Sequence, residues 1–203
     1  TPLDPAVWQK LADYAADGHG VAVFLGRNAA TVDTFNEPQA QQLLPGKLAR
    51  QAVRPDGDLC LAPNNFQHPI LAVFRDRAGS IPWDAFPVFR YWELAETNKG
   101  VGVVLPYNDG RPALLERPIG KGRSITMTTP VSDRPNRSPW NLLPIDESWP
   151  FLILMNQTAA YLVGGGEQKW NYLAGETAVV PLDESSRRRA YMLYAPDGLT
   201  MPY

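Results

Sequence analysis

The sequence predicts an α/β domain. Three observations point there. A capped helix stops at glycine and runs straight into an apolar strand, three strand signals crowd into residues 99–130, and an apolar helix follows at 149–163.

The first unit opens at "DPAVWQKLADYAAD", residues 4–17, with Asp4 as N-cap and Pro5 at the first helical position. Val7, Leu11, Tyr14 and Ala15 recur at helical spacing and predict one apolar face. Gly18 is placed to end the helix in left-handed geometry. "VAVFLG", residues 21–26, is continuously apolar, which predicts a parallel strand buried on both faces.

The next stretch is broken. Residues 30–46 are interrupted by prolines, and 48–61 hold a short β segment with a "RPDGD" turn at 54–58. "FQHPILAVFRD", 66–76, reads as one helical turn pinned by Pro69, and "FPVFRYWELA", 86–95, as a strand. Then come GVGVVLPY, PALLERPI and RSITMTTP, joined by turns at "NDG" and "IGKG". A polar loop at 131–150 leads to "WPFLILMNQTAAYLVGGG", a helix with Gly164 as its stop and apolar faces broad enough to predict that it is well buried. From 167 the pattern changes to alternation, which predicts the start of a β-rich module, 167–203, after an α/β domain at 1–166.

Composition narrows the function classes. The 203 residues carry a net charge of −2, so no basic footprint for nucleic acid exists. One cysteine and two histidines rule out an internal disulfide and a cysteine- or histidine-rich metal centre. No run of 18 apolar residues or signal peptide is present, so the fragment itself makes no membrane contact. The chain begins at Thr1 without Met, already in a helical pattern, and reads as a piece of a longer polypeptide. No cofactor is expected.

The motifs with chemical potential mostly have plainer readings. "GHG", 18–20, ends a helix and opens a strand, the reverse of a dinucleotide fingerprint. "GKGRS", 120–124, lacks the Ser or Thr after its lysine and no helix follows, so it reads as a tight turn. Cys60 is the one thiol nucleophile available, with His68 eight residues on and His19 as the other base. Its neighbours in "DLCLAPNN" are apolar and form no catalytic elbow, so an inert buried thiol is the preferred reading. His19 reads as an exposed turn residue and His68 as a cap or packing residue. The carboxylate pairs Asp56/Asp58, Glu93/Glu96 and Asp146/Glu147 read as a solvated face or caps, and the run "SSRRRA" as a solvated turn. Trp83, Trp92, Trp140, Trp149 and Trp170 either pack or line a sugar-binding surface.

In order, "LADYAADGHGVAVFLG", "FQHPILAVFRD", the 101–130 strands and "WPFLILMNQTAAYLVGG" resemble the class I glutamine amidotransferase-like domain of bacterial membrane proteins of planctomycete type. Those proteins carry an aerotolerance-regulator N-terminal membrane segment and a von Willebrand factor A domain. The resemblance spans residues 5–165. It implies a flavodoxin-like αβα sandwich, N-terminally truncated here, in which strands 101–130 form a β extension and helix 149–163 packs on the sheet. It also implies a membrane-associated parent protein with this domain in the periplasm or its equivalent. The family's catalytic cysteine elbow and later His-x-Glu have no counterpart among these residues, so kinship of fold does not carry catalysis.

Three functions follow as expectations. The first is a non-catalytic scaffold that binds protein partners: other domains of the same polypeptide, or a second copy at an unpaired sheet edge. The second is a cysteine-dependent hydrolase or amidotransferase remnant using Cys60 with His68 or His19. The third is a carbohydrate-binding module presenting two or more coplanar tryptophans.

Overall fold

The computed structural model describes residues 3–132, 139–145 and 147–164, with the strands Met192–Tyr194 and Thr200–Pro202. The chain divides into two compact units, Thr1–Gly166 and Glu167–Tyr203. The second unit shows one antiparallel pair, Met192–Tyr194 (β7) with Thr200–Pro202 (β8). Asp146, Trp170 and the SSRRRA run lie outside the described residues.

The first unit is a mixed α/β structure built on a four-stranded sheet. Its order is β1 (Gly20–Phe24), β6 (Gly122–Met127), β5 (Pro112–Ile119), β4 (Gly102–Pro106). β1 and β6 run parallel from Gly20↔Arg123 to Phe24↔Met127, and the other neighbours are antiparallel. The strands of 102–127 are therefore the body of the sheet, which corrects the expected β extension. Their turns are too short for anything but direct antiparallel pairing, and β6 must then pair with β1 on its remaining side.

Helices flank both faces, and the strand alternation shows which residues face which. Ser124 on β6 donates to Leu43 O at 2.6 Å, and Arg117 on β5 donates to Gln41 O and Leu44 O. That face is covered by α1 (Pro5–Ala16) and α3 (Ala40–Leu43). Ile125 and Met127, with opposite parity, join the core under α5 (Trp149–Leu162). Two short helices, α2 (Val32–Phe35) and α4 (Pro69–Ala72), and a two-stranded sheet of β2 (Gly46–Val53) with β3 (Arg90–Thr97) complete the unit. The small sheet is tied on by Trp92, whose backbone N–H donates to Thr128 O and whose indole N–H donates to Gly26 O.

Local signals act as their chemistry dictates. Asp4 accepts from Ala6 N at 2.8 Å and caps α1. Gly18 stops that helix at φ 117° and Gly164 stops α5 at φ 84°.

Three burial expectations need correction. The buried side of α1 is Trp8, Ala12 and Ala15, with Trp8 set edge-on to Phe35, while Val7 and Tyr14 are exposed. The large indole at Trp8 takes the inward position and rotates the buried face away from the Val7–Tyr14 stripe. β1 is not covered on both faces: Val21 is buried, but Ala22 and Phe24 are exposed. It is an edge strand, with a neighbour on one side among the described residues. α5 is likewise half-covered, since Leu152 is 72% and Val163 87% exposed.

Candidate functional site

Cys60, His68 and His19 occupy three separate settings. His68 precedes Pro69 and caps α4: its Nδ1 accepts from Ile70 N at 3.3 Å. With Nδ1 an acceptor, the ring proton sits on Nε2, which donates to Glu116 Oε2 at 3.1 Å. Both ring nitrogens are thus engaged within the fold.

Cys60 lies beside the turn that follows β4, where its backbone N–H donates to Asn108 Oδ1 and its carbonyl accepts from Asn108 N. The neighbouring Leu61 bridges to Tyr107. The thiol is half-buried, and burial together with the nearby Asp84 charge pushes its pKa up from the ordinary value. That is the opposite of the thiolate stabilisation a cysteine nucleophile requires. Among the described residues no hydrogen bond joins Cys60 to either histidine.

His19 is exposed and stacks on Tyr14, with ring centroids 4.1 Å apart. It sits just before β1, at the end of the sheet from which the parallel strands start. Cys60 is held at the other end, near Tyr107 and Asn108. A five-residue strand between them spans about 16 Å, far outside proton-transfer reach.

The residue that gathers other side chains is Glu116, on the α5 side of β5. Besides His68, it accepts from Tyr161 Oη at 2.7 Å and lies 3.6 Å from Arg123 Nη1. The Arg123 guanidinium rests over the Tyr161 ring at 4.3 Å, and His68 meets the same ring edge-on at 5.0 Å. The His68 hydrogen bond, helped by Tyr161 and Arg123, holds the Glu116 carboxyl below the usual carboxylate range. Burial and the Glu116 hydrogen bond push the Tyr161 phenol up. The four residues come from the α4 cap, β5, β6 and α5, so the cluster clips one helix and a cap onto the sheet. The signal for it was a single glutamate inside the apolar run "PALLERPI"; its partners are too distant in sequence to be found by spacing.

A second polar group lies on the other sheet. Glu93 accepts from Arg50 Nε at 2.6 Å and from Tyr91 Oη at 3.3 Å, and Arg111 stands 3.6 Å away. Arg54 and Arg111 also pair with Asp109 at 2.9 and 2.7 Å. The Arg50 hydrogen bond depresses the Glu93 pKa. Glu93 and Arg111 line an open groove of about 450 Å³ along β3. Glu93 is therefore networked rather than simply solvated. The charges balance one another locally, as surface ion-pair networks do.

Three of the tryptophans named from the sequence, Trp83, Trp92 and Trp140, are core residues. Trp149 is 43% exposed and lies at the start of α5. It borders an apolar groove of about 480 Å³ with Leu143, Ile145, Leu152 and Met155. The Ser148 hydroxyl is buried there without a hydrogen-bond partner among the described residues. Among the described residues no group of three His, Cys, Asp or Glu side chains is placed to hold a metal ion. None of the described helices is long and apolar enough to cross a membrane.

No protein-family model matches the chain, and no curated protein matches it. Solved structures do. The cytoplasmic protein STM3548 from Salmonella typhimurium superposes with a TM-score of 0.57 at 18% identity, over 79% of this chain and 61% of that one. The cytoplasmic protein STM1381 from Salmonella typhimurium LT2 gives 0.51 at 19%, over 78% of this chain and 58% of that one. The chain thus spans about three fifths of the length of either neighbour. At such identity the likeness is one of fold alone, and the fold shared is α/β.

Proposed function

We propose that this chain is a non-catalytic interaction domain, an amidotransferase-like α/β unit of flavodoxin type that serves as a scaffold within a larger membrane-anchored protein. The observation that carries the reading is an apolar face with no cover among the described residues. Trp149, Leu152 and Val163 of α5 are exposed, and so is Phe24 of β1, a strand that α5 contacts. Monomeric surfaces scatter single apolar residues, whereas a contiguous group of large ones marks a contact site. The flavodoxin-type reading is supported by adjacent parallel β1 and β6 with helices on both faces.

The hydrolase reading asks for a thiolate and a free base. Here the Cys60 thiol is pushed up, and both nitrogens of His68 serve the fold. The sequence resemblance implies the periplasm or its equivalent for this domain, whereas the two structural neighbours are themselves described as cytoplasmic proteins. An alkaline phosphatase fusion, active only outside the cytoplasm, separates the two.

The interaction reading is tested with a photo-crosslinking amino acid at position 152, in the protein as its own cell makes it. The expected result is an adduct of defined mass with another polypeptide. A face that crosslinks to nothing while position 163 is equally silent contradicts the reading.

A further inference from the structure

We propose that the occupant of this face is a second copy of the same chain, joined through β1 so that two four-stranded sheets become one sheet of eight. The proposal rests on the interaction reading above and names its partner.

The two edges of the sheet are treated differently. β4 carries two register breaks against β5 and ends in Pro106, both devices that discourage further pairing. β1, "GVAVF", has no charge, no proline and no register break over its five pairs with β6. Leu25 N–H donates to Met127 O and Arg123 N–H to His19 O, so the odd-numbered residues turn their peptide groups towards β6. The peptide groups of Gly20, Ala22 and Phe24 therefore point away from the sheet, ready to pair.

A two-fold axis beside β1 satisfies both layers at once. α5 lies over β1 and β6 together, so its axis stands about one strand spacing, ~4.8 Å, from such a dyad. Antiparallel pairing of β1 with its copy then sets the two α5 axes about 10 Å apart, the distance at which helices pack. Tyr161 turns towards α4, while Trp149, Leu152, Asn156, Ala159 and Val163 form a stripe on the other side of the helix. Gly20 lies against Leu162, so α5 runs antiparallel to β1. Ala22, at the centre of the strand, is about 7 Å further on, which brings the dyad close to Asn156 and Ala159. A small residue and a self-complementary amide suit that position.

The size is adequate. The stripe is about 21 Å long. With the sheet edge and the exposed Val7 and Tyr14 of α1 on the opposite face, three layers of about 10 Å give roughly 600 Å² per copy. The total of about 1,200 Å² reaches the range of specific interfaces. An isologous contact of this kind closes at two copies and does not grow into a fibre.

The test is the solution mass of the full chain, by light scattering over about 10–200 µM. The expected mass is twice 22.5 kDa. Leu152→Glu, at an exposed position, should weaken self-association at least tenfold with an unchanged circular-dichroism spectrum. Ala22→Pro, which removes one outward N–H, should do the same; if it fails to fold, Leu152→Glu decides alone. Hydrogen exchange at Ala22 and Phe24 should be slow in the dimer and fast in Leu152→Glu. A single-copy mass throughout, or a dimer that survives Leu152→Glu, overturns the proposal. If the chain is single-copy but position 152 still crosslinks to a different polypeptide, the second copy is wrong and the interaction face stands. With neither, both fall.

Discussion

His68 and Glu116 are 48 residues apart and meet at 3.1 Å, Nε2 to Oε2. The same imidazole caps α4 through its other nitrogen, so one residue fixes a helix start and the polarity of a strand carboxylate.

Removing the acceptor should therefore loosen several elements together. Glu116→Ala leaves His68, Tyr161 and Arg123 without their common partner. The expected loss is about 1–3 kcal/mol, because hydrogen bonds to a charged group are broken and half-buried donors are orphaned. For a chain of this size that lowers Tm by about 2–12 °C, measurable by calorimetry. A Tm within 1 °C of the parent would show that the cluster is solvated decoration.

The same carboxylate makes an acid-side prediction. Its folded pKa lies below the ordinary value of 4.5. A depressed carboxylate contributes stability that is complete above its unfolded pKa and is lost as pH falls through the folded one. The difference in stability between the parent and Glu116→Gln should hence shrink as pH falls below about 4.5. Urea midpoints at a series of pH values check it; a gap that widens on acidification has the wrong sign.

Two turn glycines separate a steric need from a conformational one. A Cβ on Gly122 would stand 2.2 Å from His19 O and 2.3 Å from Ala15 O, both backbone atoms. At Gly110, φ is +83° but nothing lies within 4 Å. Gly110→Ala should cost about 1 kcal/mol from the left-handed backbone alone. Gly122→Ala must push α1 and the His19 turn off β6 and should cost about 3 kcal/mol or more. Equal losses at the two sites would contradict the close approach of α1 to this turn.

Much of the fold was legible because its signals are local. The Asp4–Pro5 start, the glycine stops at 18 and 164, and the NDG and GKG turns each act within four or five residues. Pairing and burial were less legible. "VAVFLG" is apolar enough for a covered parallel strand, yet β1 lies at the sheet edge with one described neighbour, and Ala22 and Phe24, on the α5 side, stay exposed. α5 misled in the same way: its apolar sides exceed what one sheet can cover. On α1, spacing drew attention to Val7 and Tyr14, but the volume of Trp8 decided which side turned inward. Glu116 was invisible as a centre, because its four-residue cluster is assembled from segments up to 93 positions apart, His68 to Tyr161.

The proposed function works through a face and not through the Cys60 thiol. The most direct measurement is the alkylation rate of Cys60 by iodoacetamide from pH 6 to 10, in the parent and in His68→Asn. The predicted result is slow reaction at neutral pH, a rise centred above the ordinary thiol value of 9.0, and the same profile in the variant. A rate already at its plateau near pH 7, lost in His68→Asn, would show an activated cysteine and overturn the non-catalytic reading.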